Sequence, residues 1–470
     1  MIDTPHSSRL TPPPALTWTH LFPSTATFDC DGAPAWFAGQ IAHHLPADPP
    51  LSPDGFALEP AQPVHVKIMW DDASAAPTCS RSHDGIVAVN CRRFPVERLH
   101  DAGFGYLRHF AAVPNLENAR WLVPLDCPAI SAAALSLYTP SRRSAKLKRA
   151  AVRLAMHARL PIWYRDHLWI AQRHLPPIEA SLDPLLHTRH VRWALSSGAP
   201  VGARNRKASA LVLAPDGQML AFVKIARSDI ARRIALREAG VLERLAQVPA
   251  LRDSTPRVIF SADVDGDRLL AQTPLPGGPA PIEFTAAHAA FLALLQTPVT
   301  VRAAFTATVA QMPTRLLALS MPHPELMETY YRTLPTLQKF DVPITITHGD
   351  FAPWNLRRHD GRVGAFDWEY GEPSGLPLMD EIHYRLQSGW LLEDWSAAMA
   401  VRCLHALANR RPLGLKPPHV DAISIIYLLD ALVRLIGEGY GEEQDVVAWH
   451  RDILNRLSPR WTPRKEAAAA

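Results

Sequence analysis

His348-Gly349-Asp350-Phe351-Ala352-Pro353-Trp354-Asn355 is followed, after a short interval, by Asp367-Trp368-Glu369, and the way these two pieces join organises the rest of the chain. Ile344-Thr345-Ile346-Thr347 alternates like a strand and leads into the first piece. Between the pieces, Asp360-Gly361 separates Leu356-Arg357-Arg358-His359 from Arg362-Val363-Gly364-Ala365-Phe366. Asp-Gly between two such runs is among the strongest short signals for a hairpin. With Asp360 and Gly361 as the turn, residue 359 pairs with 362, 357 with 364 and 355 with 366, so Asn355 arrives beside Asp367. A carboxamide and a carboxylate at the open end of one hairpin suit a hard cation such as magnesium, which prefers oxygen ligands. Asp350 lies one loop earlier, placed to meet an incoming hydroxyl. Phosphoryl transfer needs mainly this: metal to hold the phosphates and a carboxylate to orient the nucleophile.

His348-x-Asp350-x4-Asn355 followed by Asp367-Trp368-Glu369 resembles the aminoglycoside phosphotransferase and choline kinase superfamily, a small-molecule branch of the protein-kinase-like fold. The resemblance implies Asp350 as catalytic base, Asn355 and Asp367 as magnesium ligands, and His348 as a packing and hydrogen-bonding residue of the catalytic loop. Trp368-Glu369-Tyr370 looks more like choline, ethanolamine or thiamine kinases than like enzymes with Asp-x-Gly at the metal site. Loop chemistry alone would also favour Asp, Asn and Gly here. The other half of a kinase site must therefore be sought upstream.

Leu220-Ala221-Phe222-Val223-Lys224-Ile225-Ala226 is an apolar run with one lysine inside it, and an interior lysine calls for an anion. Ser228 or Asp229 then caps a predicted helix whose Ile234, Val241, Leu242 and Leu245 share a face, with Glu238 on it. A strand lysine followed by a helix glutamate is the pairing with which kinases hold nucleotide phosphates, so Lys224 and Glu238 are the expected pair. Ser196 to Lys207, containing Ser197 and Gly198, occupies the place of the phosphate-covering loop, although it lacks G-x-G-x-x-G spacing. Asp216-Gly217 predicts a further hairpin turn before the lysine strand. Arg268 to Gln272 reads as a strand ending in the hinge Thr273-Pro274-Leu275-Pro276-Gly277-Gly278, and by resemblance the backbone from Gln272 to Leu275 meets the adenine.

The fold class expected is α+β: a bilobal protein-kinase-like fold with an antiparallel-sheet N-lobe (186–278) and a mainly helical C-lobe (279–470), preceded by a smaller α+β module (1–185). In that module Val64 to Trp70, Gly85 to Val89, Arg108 to Pro114 and His167 to Ala171 read as strands, and Pro176-Pro177 marks the break. Ser141 to Leu160 is a basic helix candidate, with Leu147, Ala151, Leu154 and Ala158 on one face and Arg142, Arg143, Lys146, Arg149 and Arg153 largely elsewhere. Such a helix suits an anionic membrane surface or a phosphorylated substrate, while a solvated face is the commoner use of such a charge pattern. Farther on, Asp421 to Glu438 reads as a core helix, too interrupted by Asp430 and Arg434 to span a membrane.

The 470 residues carry 49 Lys and Arg against 45 Asp and Glu, a net charge of +4 that argues against wholesale nucleic-acid binding. Five scattered cysteines without C-x-x-C spacing fit a reduced, cytoplasmic setting, and Met1 to Cys30 lacks the pattern of a secretory signal. The function expected is transfer of the γ-phosphate of ATP, with magnesium, to a hydroxyl of a small molecule such as an amino-alcohol or sugar. A non-catalytic nucleotide-binding scaffold and an AMP-transferring enzyme are the alternatives. Acceptor recognition falls to the variable helical region, about Phe284 to Phe340.

Overall fold

The computed structural model describes residues 17–23, 25–44, 64–72, 82–91, 93–137, 143–158, 160, 163–186, 191–197 and 208–458. The chain divides into two compact units, one of Met1–Leu236 with Val258–Pro274 and one of Arg237–Arg257 with Leu275–Ala470.

The first unit is built on one sheet of eleven strands: β1 (Thr27–Asp29), β2 (His65–Trp70), β3 (Gly85–Val89), β4 (Tyr106–Val113), β5 (Trp121–Pro124), β6 (Asp166–Gln172), β7 (Arg192–Ser196), β8 (Ala208–Leu213), β9 (Met219–Ala226), β10 (Val258–Val264) and β11 (Asp267–Gln272). Their spatial order is β1-β2-β3-β6-β4-β5-β7-β8-β9-β11-β10. β1, β2 and β3 run parallel to one another, and every other pairing is antiparallel. The last five positions, β7-β8-β9-β11-β10, are the antiparallel sheet expected of a kinase N-lobe. The break expected near residue 185 falls between β6 and β7, which belong to the same sheet; β5 pairs with β7 through Trp121 with Ser196 and Leu122 with Leu195.

Side-chain alternation shows why these segments are strands. In β7 and β8, Trp193, Leu195, Ala210 and Val212 enter one core, while Ala194, Leu211 and Leu213 enter the core on the opposite face. β3, Gly-Ile-Val-Ala-Val, is buried at every position, as a strand covered on both faces must be. Trp18, Phe22 and Phe37 close the first of these cores as an edge-to-face and stacked aromatic group, with ring centroids about 6 Å apart.

Two buried polar networks cross this unit. Glu179 receives Nη2 of Arg108 at 2.6 Å on both carboxylate oxygens, and Arg108 Nη1 also donates to Gln172. Burial pushes the Glu179 carboxyl up to about 7, against the pull of that guanidinium. Asp267, 3% exposed, is held by His20 Nδ1 at 2.7 Å and by Arg227 Nε and Nη2 at 2.8 and 2.9 Å. Burial alone would raise the Asp267 carboxyl, but these donors bring it well below the usual carboxylate range. A carboxylate with a depressed folded-state pKa contributes stability above its unfolded pKa and loses it as pH falls through the folded value. Wild-type unfolding free energy should therefore drop more steeply between about pH 5 and pH 2 than that of Asp267→Asn, and the variant should be about 1–3 kcal/mol weaker near neutrality. Urea titrations across that range test this, and parallel curves would refute it.

The second unit is mainly helical. Its core packs Met379–Glu393, Ala397–Asn409, Pro417–Gly437 and Asp445–Leu457 around residues such as Ile382, Leu404, Ile426 and Ile453. Two three-stranded sheets interrupt the helices: β12 (Gly278–Pro279), β15 (Leu356–His359) and β16 (Arg362–Ala365) form one, while β13 (Gln296–Arg302), β14 (Asp341–Thr347) and β17 (Glu372–Gly375) form the other. β14 delivers the chain to His348, and β15 with β16 makes the hairpin that follows. No helix among the described residues is long and apolar enough to cross a membrane.

Candidate active site

Asp360 and Gly361 both have positive φ, +46° and +76°, which a two-residue turn between right-twisted strands demands. The register is the one expected from the sequence: His359 pairs with Arg362, Arg357 with Gly364 and Leu356 with Ala365, and Phe366 N donates to Asn355 O at 3.0 Å. Asn355 and Asp367 thus close the open end of the hairpin together. Asp367, half-buried, adopts φ +69°, a left-handed conformation that aspartate tolerates better than most residues.

The loop before the hairpin is fixed from three sides. Asp380, 4% exposed, accepts the backbone N–H of His348 at 2.8 Å and of Gly349 at 2.9 Å, one on each carboxylate oxygen. His348, fully buried, donates from Nε2 to Phe366 O at 2.9 Å, which leaves Nδ1 to accept Asp350 N at 3.2 Å. Arg434 donates from Nη1 to Gly349 O at 2.7 Å. Gly349 has φ +78°, and a Cβ there would lie 2.5 Å from Tyr370 O, so no other residue fits.

These contacts present Asp350. Its Oδ2 accepts Nδ2 of Asn355 at 2.8 Å, and its Oδ1 accepts Nε2 of His383 at 2.9 Å. The far nitrogen of His383 meets the Tyr427 hydroxyl at 3.1 Å. Burial works to raise the Asp350 carboxyl, yet the His383 hydrogen bond together with the charges of His383 and Arg434 hold it well below the usual carboxylate range. The carboxylate is therefore ionised, and its side chain is 29% exposed, enough to meet an acceptor. Since Asn355 spends its amide nitrogen on Asp350, its carbonyl oxygen is the atom left for a cation. That oxygen and the Asp367 carboxylate are hard donors of the kind magnesium takes.

Glu238, fully buried on the helix Asp229–Leu245, accepts Trp368 N at 3.3 Å, immediately after Asp367. Trp368 is itself fully buried, donates Nε1 to Ala365 O at 3.0 Å and packs on His348 with ring centroids 4.5 Å apart, so it is a core residue. Leu275 is half-buried in this unit. The first unit holds the remaining residues expected from the sequence. Lys224, 2% exposed, lies in β9 opposite Leu270 and Ser209. Gln272, also 2% exposed, ends β11, and Ser197, 5% exposed, donates its backbone N–H to Arg120 O at 2.9 Å. Gly198 and the rest of 198–207 lie outside the described residues. At the helix start, Ser228 Oγ accepts Ala231 N at 3.3 Å and serves as the cap.

His383, Tyr427 and Arg434 were not anticipated as parts of the site. A signal was present: Asp380 and His383 are three apart on one helix and so share a face, and Asp430 and Arg434 are charges inside the largely apolar run Ala422 to Gly437. Asp430 binds Arg315, and Arg434 both binds Gly349 O and lies 4.8 Å over the Tyr370 ring. In the helix Pro324–Leu337, within the region expected to recognise the acceptor, Glu325 is bound by Arg451 and Glu328 by Arg332.

Residues 200–380 match the family described as phosphotransferase enzyme family, APH. Among solved structures, the chain is similar to a fructosamine-3-kinase, so described as putative, from Haemophilus somnus 129PT, at 15% identity and a TM-score of 0.39 over 60% of this chain and 96% of that one. It is similar to a thermostable mutant of aminoglycoside phosphotransferase APH(4)-Ia in ternary complex with AMP-PNP and hygromycin B, at 13% identity and a TM-score of 0.42 over 61% and 99%. It is also similar to the macrolide 2'-phosphotransferase MphH of Brachybacterium faecium, at 19% identity and a TM-score of 0.36 over 61% and 99%. No curated protein matches the chain. The His348-to-Asp367 motif falls inside the matched segment, so over residues 200–380 the chain is similar to the phosphotransferase enzyme family in the stretch that holds the candidate site.

Proposed function

We propose that this protein transfers the γ-phosphate of ATP to a hydroxyl of a small molecule, an amino-alcohol, sugar or related metabolite, with Asp350 as the residue that receives the acceptor. The observation that carries the reading is Asp350 itself: an ionised, partly open carboxylate whose two oxygens are steered by Asn355 and His383, next to the Asn355 and Asp367 oxygen pair. The acceptor oxygen would form its bond to the γ-phosphorus as the bond to the β-γ bridging oxygen breaks, with ADP leaving and the hydroxyl proton passing toward Asp350. Asp350 would orient the hydroxyl and accept its proton, a modest demand in a loose phosphoryl transition state. Asn355 and Asp367 are the residues that would hold magnesium, which when bound neutralises charge on the phosphates. Lys224 would hold the phosphates, with Glu238 on the helix that follows it; the backbone near Ser197, Gly198, Gln272 and Leu275 would take the nucleotide.

The test is a metabolite screen with ATP and magnesium read by phosphorus NMR, with labelled α- or γ-phosphate to show which group moves. Selective γ-phosphate transfer to one compound supports the proposal; transfer of the α-phosphate, or nucleotide binding with no product from any compound, sinks it. Lys224→Met should lower kcat/KM for ATP by about ten- to a hundredfold, the worth of one charge-assisted contact to phosphate. Unchanged steady-state kinetics in that variant would remove Lys224 from the site.

A further inference from the structure

The basic helix Arg143–His157 packs on the first unit by a face other than its leucine stripe. Met156 is buried and Val152 half-buried in a core shared with Ile130, Ala134 and Val123, and Ala155 is buried as well. Leu147 and Leu154, the larger side chains, point the other way and are 73% and 71% exposed; Ala151 and Ala158 beside them are exposed too, and Leu160 just beyond is 47% exposed. A helix that needed only to be soluble would turn its leucines inward and its alanines outward. Here Val152, Ala155 and Met156 anchor the helix, and the leucines form an outward ridge with no described residue covering it.

Charge says what the ridge faces. From Cys127 to Arg165 the sequence has eight lysines and arginines and no aspartate or glutamate. The whole chain carries only +4, so this segment's +8 leaves the remainder at −4. Positive charge is thus concentrated, along the sequence, in the segment that carries the exposed Leu147 and Leu154. A basic polar flank beside an apolar ridge is the pattern of helices that lie in the plane of a bilayer, with leucine side chains in the acyl boundary and lysine and arginine among anionic headgroups. A nucleic acid would use the charges but gives no reason for the leucines.

We propose that the Arg143–His157 helix docks this protein on an anionic lipid surface, through Leu147 and Leu154 with the surrounding basic residues. The docking is peripheral and electrostatically assisted, and it stands apart from the phosphotransferase reading.

Flotation of the full chain with phosphatidylcholine vesicles, with and without phosphatidylglycerol, tests it. Wild-type protein should float with the anionic vesicles alone, and added salt should weaken the binding because headgroup attraction is screened. Leu147→Glu/Leu154→Glu should lower the partition coefficient by about tenfold or more. Lys148→Glu/Arg153→Glu, also at exposed positions, should do the same, with far-UV circular dichroism and thermal midpoint showing both variants folded. Absence of wild-type protein from the anionic vesicle fraction would overturn the proposal, as would equal flotation of the folded leucine variant. So would tight binding to RNA that survives the leucine changes while vesicles capture nothing.

Discussion

Replacing Asp350 with alanine is expected to lower kcat by about a thousandfold, within the span of 10²–10⁴ that a positioned acid-base group contributes. Affinity for a non-hydrolysable ATP analogue should stay within about threefold, because the loss concerns the transition state and not nucleotide binding. The fold should survive. Asp350 is an acceptor for Asn355 and His383, and its side chain is open enough for water to replace it at both donors. Asp350→Asn sharpens the experiment: a carboxamide keeps the shape but has one acceptor oxygen for two donors, so one bond fails and the charge is gone. It should be nearly as inactive as the alanine variant. Full turnover by either would remove Asp350 from its assigned role, whereas equal loss of nucleotide affinity and turnover would mean that the loop had collapsed.

The second large effect is expected at Asp380, which need not touch any substrate. Its two oxygens accept two buried N–H groups in succession, from His348 and Gly349, and burial pushes its own carboxyl upward. Asp380→Asn can satisfy only one of them and turns an amide N–H toward the other, which should cost about 3 kcal/mol of stability. Thermal unfolding measures that directly. The same change loosens the residues that aim Asp350, and a displacement near 1 Å at a reacting group costs about a hundredfold in rate. The predicted pattern is a lower unfolding midpoint together with lower kcat at a nearly constant ATP KM. A variant with wild-type stability would mean that Asp380 is not the clamp of this loop.

Much of this site could be read from the chain because its chemistry is local. Asp360-Gly361 dictates its own turn, the turn dictates the register, and the register brings Asn355 to Asp367 with no tertiary information. Lys224 stood out because an apolar strand tolerates a lysine only for a reason. His383 and Arg434 were hidden since they reach Asp350 and Gly349 from helices 33 and 85 residues along the chain. Pairing of β5 with β7 was equally out of reach: each strand has an ordinary alternating pattern, and nothing in either names its neighbour. The basic helix gives a subtler case. Periodicity finds a stripe of Leu147, Ala151, Leu154 and Ala158, but it cannot say that the narrower stripe around Val152 and Met156 is the one that packs.

The continuous eleven-strand sheet makes the strands after residue 186 depend on those before it for a flank. The matched segment begins at residue 200, after β7 has ended, so a protein trimmed to that segment would start with β8 as a bare edge. Trimming instead at 186 would retain β7 but strip β5 from its flank, leaving a row of unpaired N–H and C=O groups beside the strand that carries Trp193. Exposed edges of that kind recruit other chains. A shortened protein would be prone to aggregate for want of a neighbour, whatever the state of its candidate catalytic loop, and the extra residues act as the selvedge that keeps the sheet from fraying.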